Sequence, residues 1–166
     1  DRPAERFIAF VVLDPASDEL GAAAVGLDLR GSRRILEHLR APGLEGGEDC
    51  VVSASGMNSV ATLLLALMPQ NGHFVTTHDC YRRTRQFMQT LLPKMGIRTT
   101  VVDPSDLAGI ERALDAGATL FFSESPTNPY LRVVDIPRVA ELCRNRGAIS
   151  VIDSTFATPV NQQALS

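Results

Sequence analysis

Three short segments hold the residues whose types and spacing could do chemistry: Ser55-Gly56-Met57, Ser125-Pro126-Thr127-Asn128-Pro129 and Val151-Ile152-Asp153-Ser154-Thr155. Each follows an apolar run that reads as a strand, so each could set polar groups at the end of a sheet. Gly56 lets the backbone approach a ligand closely, and the free amides of a following helix favour a phosphate. The same strand–Ser-Gly–helix pattern also makes an ordinary tight turn. Tyr81 opens a helix after Thr77-His78-Asp79-Cys80. It could stack on a planar ring with its hydroxyl free for proton transfer, or simply be an amphipathic residue at a helix start. Asn128, stiffened by a proline on either side of its turn, could donate its amide to a phenolate oxygen or cap that turn. Asp153 could hold a ring nitrogen protonated, or close a turn. Thr155 is near enough to orient the same ring. Together these groups suit an anionic aromatic ligand.

The elements that must position them alternate with a regular rhythm. Apolar runs at 50–54, 73–77, 99–102, 119–123 and 148–152 read as strands. Between them, residues 60–68 read as a helix apolar nearly all round and therefore buried. Residues 81–95 read as an amphipathic helix with Phe87, Leu91, Leu92 and Met95 on one side, distorted by Pro93 and stopped by Gly96. Asp103-Pro104-Ser105-Asp106 opens a helix with Leu107, Ile110 and Leu114 at helical spacing. Asp135 caps another, with Pro137 in its first turn, Val139, Leu142 and Cys143 as its apolar stripe, and Gly147 at its end. Strands separated by helices imply right-handed crossovers and a mostly parallel α/β sheet flanked by helices. Ligands of such sheets bind beyond the carboxyl ends of the strands. Residues 1–48 differ: 32–41 look helical, but the preceding stretch has no clear period.

Length and composition set the frame. A chain of 166 residues suits one domain with a single core, and 45% hydrophobic with 21% charged residues is ordinary for a globular protein. A net charge of −3 gives no electrostatic reason to expect nucleic acid. Arg82-Arg83-Thr84-Arg85 reads as a solvated helix face, or else as an anion-binding cluster near the site. Cys50, Cys80 and Cys143 are widely spaced and form no zinc pattern, so reduced thiols and no metal are expected. His38, His73 and His78 read as surface or turn residues. No stretch is long enough to span a membrane, and the apolar run at 7–13 makes a poor signal or transit peptide. GxGxxG and GxxxxGK[ST] loops are absent, which weighs against a nucleotide-binding α/β domain.

Residues 44–165 carry a resemblance. The runs Leu44-Glu45-Gly46-Gly47, Ser53-Ala54-Ser55-Gly56-Met57, Asp79-Cys80-Tyr81-Arg82, Pro93-Lys94-Met95-Gly96-Ile97, Glu124-Ser125-Pro126-Thr127-Asn128-Pro129 and Asp153-Ser154-Thr155-Phe156-Ala157-Thr158-Pro159 are similar to the cystathionine γ-synthase group of Cys/Met-metabolism enzymes. These enzymes use pyridoxal 5′-phosphate (PLP). The resemblance implies part of the large domain of a fold type I, aspartate aminotransferase-like transferase, with residues 1–43 a divergent N-terminal segment and 44–166 an incomplete PLP-binding domain. It implies that Gly56 and Met57, with Ser55 adjacent, hold the cofactor phosphate and that Tyr81 stacks on the ring and shuttles a proton. Asn128 would contact the phenolic oxygen, Asp153 would pair with the pyridinium nitrogen, and Thr155 would sit against the ring.

The departures carry as much weight. The family's Schiff-base lysine lies in a Ser-x-Thr-Lys run downstream of the Asp motif, and the sequence stops at Ser166 before it. Lys94 is the single lysine and sits far from the motifs in sequence. The family's upstream Tyr-x-Arg motif corresponds to 25–32, where Arg30 remains but no tyrosine does. The expectation is a fragment of a trans-sulfuration enzyme that is inactive alone. Its full-length reaction would be cystathionine formation from an activated homoserine ester and cysteine. A cystathionine or methionine lyase, and a non-catalytic remnant acting as a binding partner, are the alternatives. Small amino-acid substrates, a homo-oligomeric full-length protein and a reducing compartment, cytoplasm or chloroplast stroma, complete the expectation.

Overall fold

The structure, a computed structural model, describes residues 7–10, 53, 55–162 and 164. The expected strand at 50–54, Ser53 apart, and the expected helix at 32–41 lie outside them, as do Arg30, His38 and Cys50. The described strands form one five-stranded sheet: β1 (Phe7–Phe10), β2 (His73–Thr77), β3 (Arg98–Val102), β4 (Leu120–Glu124) and β5 (Ile149–Asp153). Their order is β1-β5-β4-β2-β3, and every neighbouring pair runs parallel. Parallel neighbours cannot be joined by a hairpin, so the chain returns through helices. These are α1 (Gly56–Leu67), α2 (Arg82–Thr90), α3 (Leu107–Asp115), α4 (Ile136–Arg144) and the short α5 (Thr158–Asn161).

Local chemistry sets the helix starts. Ser55, Asp106 and Asp135 each accept from the amide three residues on, at 3.2, 2.8 and 3.1 Å. The strands then divide their side chains between two cores, as a period of two requires. Phe74, Leu120, Phe122 and Val151 join Val60, Leu64, Met88 and Leu92 on one side. Val75, Phe121 and Ile152 join Ile110, Leu114, Val139 and Leu142 on the other. With both faces covered, β2 and β4 are buried from end to end.

Four readings of the sequence need correction. The apolar run at 7–13 supplies a strand: β1 pairs with β5 from Phe7 opposite Ser150 to Phe10 opposite Asp153. Residues 7–10 therefore add an edge strand to the same sheet. The helix after Ser55 is not buried all round. Val60 and Leu64 face the core while Leu65 is 42% exposed, because a helix lying on one face of a sheet can bury only one stripe. Along α2 and the turn that follows it the buried residues are Thr84, Met88 and Leu92, with Leu91 and Met95 exposed. The chain leaves the α-helix at Thr90 and tightens into a 3₁₀ turn over Leu92–Met95, which rotates the later side chains off the expected stripe. Gly96 ends that turn at φ 74°, and a Cβ there would lie 2.0 Å from Asn71 Oδ1. Finally, His73 is buried in β2, where its ring bonds Thr100 Oγ1 at 2.8 Å and Arg98 at 3.0 Å. Burial and the Arg98 charge hold its pKa below the ordinary value.

Adjacent leucines on α1 test this packing. Leu64→Ala should lower the unfolding free energy by about 2–5 kcal/mol, and Leu65→Ala by roughly 0.5 kcal/mol or less, in urea titrations. Equal losses would show that α1 does not lie on the sheet through its Val60–Leu64 side.

Candidate functional site

The carboxyl ends of β4 and β5 and the starts of α1 and α2 line a cavity of about 400 Å³. Ser55, Gly56, Met57, Tyr81, Asn128, Asp153 and Thr155, the residues singled out from sequence, all line it. Lys94 does not; it lies in the 3₁₀ turn beyond the far end of α2.

Each position follows from its element. Ser55 Oγ caps α1, and the amides of Gly56 and Met57 point out of the first turn with no partner among the described residues. Tyr81 is the N-cap residue of α2 and is 46% exposed, with its ring along the cavity. Its N–H donates to Glu124 Oε1 at 2.6 Å. The Asn128 N–H donates to Glu124 Oε2 at 3.1 Å. Asp153 is the last residue of β5, one place further into the strand than expected, and is buried. Both the N–H (3.0 Å) and the hydroxyl of Thr155 donate to its Oδ1, and Oδ2 has no hydrogen-bond partner among the described residues. Burial, its largest effect, raises the Asp153 pKa against the lowering by the two Thr155 bonds.

Reasoning from sequence missed Glu124, Val60, Thr84, Pro126 and Phe156 on the cavity wall. Glu124 carries the most chemistry. It ends β4, is 5% exposed and stands in register with Asp153 across the parallel pair. Burial pushes its pKa up to about 7; the Asp153 charge adds to this, and the two amide bonds oppose it. An acid closing the otherwise apolar run 120–122 was the available signal. Thr84 joins the two helices, its hydroxyl 3.5 Å from Met57 Sδ.

Two further networks hold the loops behind the cavity. Gln162 Nε2 donates to Ser125 O (2.8 Å) and Ser154 Oγ (2.9 Å), and its Oε1 accepts from Ser125 Oγ (3.1 Å). The ends of β4 and β5 are thereby clamped together. Arg132 reaches Asp103, after β3, and Asp79, after β2, the latter at 3.2 Å. Asp79 also meets His78 Nε2 at 2.9 Å. The Cys80 and Cys143 thiols are free and buried, and burial pushes each pKa up to about 12. Among the described residues there is no cluster of metal-ligating side chains, and no helix is long and apolar enough to cross a membrane. The arginines of α2 are exposed, as a solvated helix face requires.

A cavity with free amides at one wall and a buried carboxylate at another, beyond the ends of parallel strands, defines a ligand-binding face of an α/β enzyme domain. The family model for Cys/Met metabolism PLP-dependent enzymes matches residues 32–166. The chain belongs to that family. It is 56% identical over 124 residues to cystathionine gamma-synthase 1, chloroplastic, of Arabidopsis thaliana, covering 74% of this chain and 22% of the relative. Among solved structures it resembles MetB of Corynebacterium glutamicum, with TM-score 0.71 and 34% identity over 75% of this chain and 32% of that one. It also resembles the O-acetylhomoserine sulfhydrylase of Wolinella succinogenes, with TM-score 0.72 and 30% identity over 81% of this chain and 38% of that one. The chain thus spans about a fifth of the curated relative's length and about a third of each solved one.

The raised Glu124 pKa makes a stability prediction. A carboxyl that binds its proton more tightly in the folded chain stabilises the fold below its ordinary pKa, and that stabilisation is lost as pH rises through about 7. Between pH 5 and 8 wild type should lose about 2–3 kcal/mol relative to Glu124→Gln, read from paired urea titrations. Taking the difference cancels His73, whose lowered pKa acts in the opposite direction. A pH-independent difference would contradict the assignment.

Proposed function

We propose that this cavity holds PLP and that residues 44–166 form the cofactor-binding face of a trans-sulfuration enzyme. The whole protein would join an activated homoserine ester to cysteine, giving cystathionine for methionine biosynthesis. The observation that carries this reading is the convergence of the Gly56–Met57 turn, Tyr81, Asn128 and Asp153 on one cavity. The donor set suits the group. PLP is an anion at one end and a basic aromatic nitrogen at the other. The cavity offers the unpartnered first-turn amides of a 12-residue helix and a buried carboxylate with one oxygen free among the described residues.

Bound PLP supplies an electron sink that stabilises negative charge developing on an amino-acid substrate. The chain's residues do the rest. Gly56 and Met57 donate backbone N–H bonds to the phosphate, helped by the α1 dipole. Tyr81 stacks on the ring and offers its hydroxyl for proton movement. Asn128 donates its carboxamide to the phenolic oxygen. Asp153, steadied by Thr155 on Oδ1, keeps a proton on the pyridine nitrogen through Oδ2. The similarity to a cystathionine gamma-synthase supports the synthase reading over a lyase. Buried free thiols and that relative's chloroplastic label support a reducing compartment, cytoplasm or stroma. Exposed Tyr130, Leu131, Val133 and Phe156 support a homo-oligomeric whole protein.

This chain alone should bind PLP without turnover, since Lys94 is remote from the cavity. Titration with PLP, followed by absorbance, should show saturable binding that weakens at least tenfold in Asp153→Asn. Borohydride should leave no pyridoxyl group on Lys94. Absence of binding, or a reducible link to Lys94, would overturn the reading.

A further inference from the structure

Glu124 has no part in the chemistry described above, yet it touches both loops that do. One carboxylate oxygen accepts the Tyr81 N–H at 2.6 Å and the other the Asn128 N–H at 3.1 Å. Tyr81 begins α2, and Asn128 belongs to the loop after β4. Among the described residues neither side chain has a hydrogen bond of its own, and the backbone bonds to Glu124 tie these two positions directly to one carboxylate, beside the Arg132 bond that links the same loops further out. We propose that Glu124 is a positioning residue whose ionised carboxylate locks the Tyr81 and Asn128 loops into one ligand-gripping unit, and whose protonation releases that grip.

The chemistry is that of a carboxyl group with two backbone donors. Ionised, it accepts on both oxygens. Protonated, one oxygen becomes a hydroxyl, which is a poor acceptor for an N–H, and one of the two loops loses its tie. Few other groups can set this equilibrium. Asp153 faces Glu124 from β5, and the Cys80 thiol faces it from the loop after β2. From α1, the first turn brings no charge. Two arginines of the neighbouring segments bond other groups. Arg85 of α2 donates to His78 O at 3.4 Å, and Arg132 pairs with Asp79 and Asp103. With no cation paired to it among the described residues, Glu124 holds its charge through those two amides, and burial brings its titration up to about 7.

This inference rests on the cavity's being a PLP site, and the experiment separates the two. The probe is pyridoxamine 5′-phosphate, which needs no lysine, added to the 166-residue chain between pH 5.5 and 8.5. Wild type should bind at least fivefold more tightly than Glu124→Gln at pH 8.5, and the two should agree within twofold at pH 5.5. A ratio that stays constant with pH would mean that Glu124 only supports the fold, and would overturn the proposal. The amides of Tyr81 and Asn128, followed by NMR in ligand-free wild type, test it with no variant at all. They should move with one shared midpoint. Separate midpoints, or an amide that does not move between pH 5 and 9, would overturn it. If wild type binds no probe while the two amides titrate together, the cofactor assignment fails and the coupling stands.

Discussion

Two buried acids side by side are the constraint around which this structure is arranged. Glu124 and Asp153 end adjacent parallel strands in register, and both are buried. Burial raises the pKa of both, and the Asp153 charge raises that of Glu124 further. Two different solutions keep them. Glu124 is satisfied from inside by amides of its own chain. Among the described residues Asp153 is bonded on one oxygen only, which leaves the other open to the cavity. A cationic ring nitrogen is the complement such a carboxylate calls for.

The remaining architecture holds the acids in that relation. Parallel strands put all their carboxyl ends on one edge, so the loops that follow them crowd together there. Ties between loops are then needed. Gln162 binds the end of β4 to the start of the segment after β5, and Arg132 binds the loops after β2, β3 and β4. These bonds lie behind the cavity wall. They fix the backbone from which Tyr81, Asn128 and Asp153 project, while among the described residues the Tyr81 and Asn128 side chains have no hydrogen bond and Asp153 is bonded on one oxygen.

Much of this was legible in the sequence because local rules agreed with the fold. The strands at 73–77 and 149–153 follow from apolar runs bounded by Gly72 and Gly147, and the helix starts at Asp106 and Asp135 follow from capping chemistry. The motif residues converge because each follows a strand of one parallel sheet. Other features depend on contacts that pattern alone does not reveal. The place of β1 beside β5 is a long-range pairing across most of the chain. His73 looked like a surface residue because its partners, Thr100 and Arg98, come from the next strand. Glu124 was passed over because its role lies in bonds to the backbone of Tyr81 and Asn128, and no side-chain motif records a backbone acceptor.

The central claim is that Asp153 holds a proton on a bound pyridine ring. It is tested most directly by nitrogen NMR of ring-¹⁵N pyridoxamine 5′-phosphate bound to this chain, at a pH where the free compound's ring nitrogen is deprotonated. The account expects the shift of a protonated ring nitrogen in wild type and of a deprotonated one in Asp153→Asn. A deprotonated nitrogen in the wild-type complex, or a protonated one that survives the substitution, would contradict it.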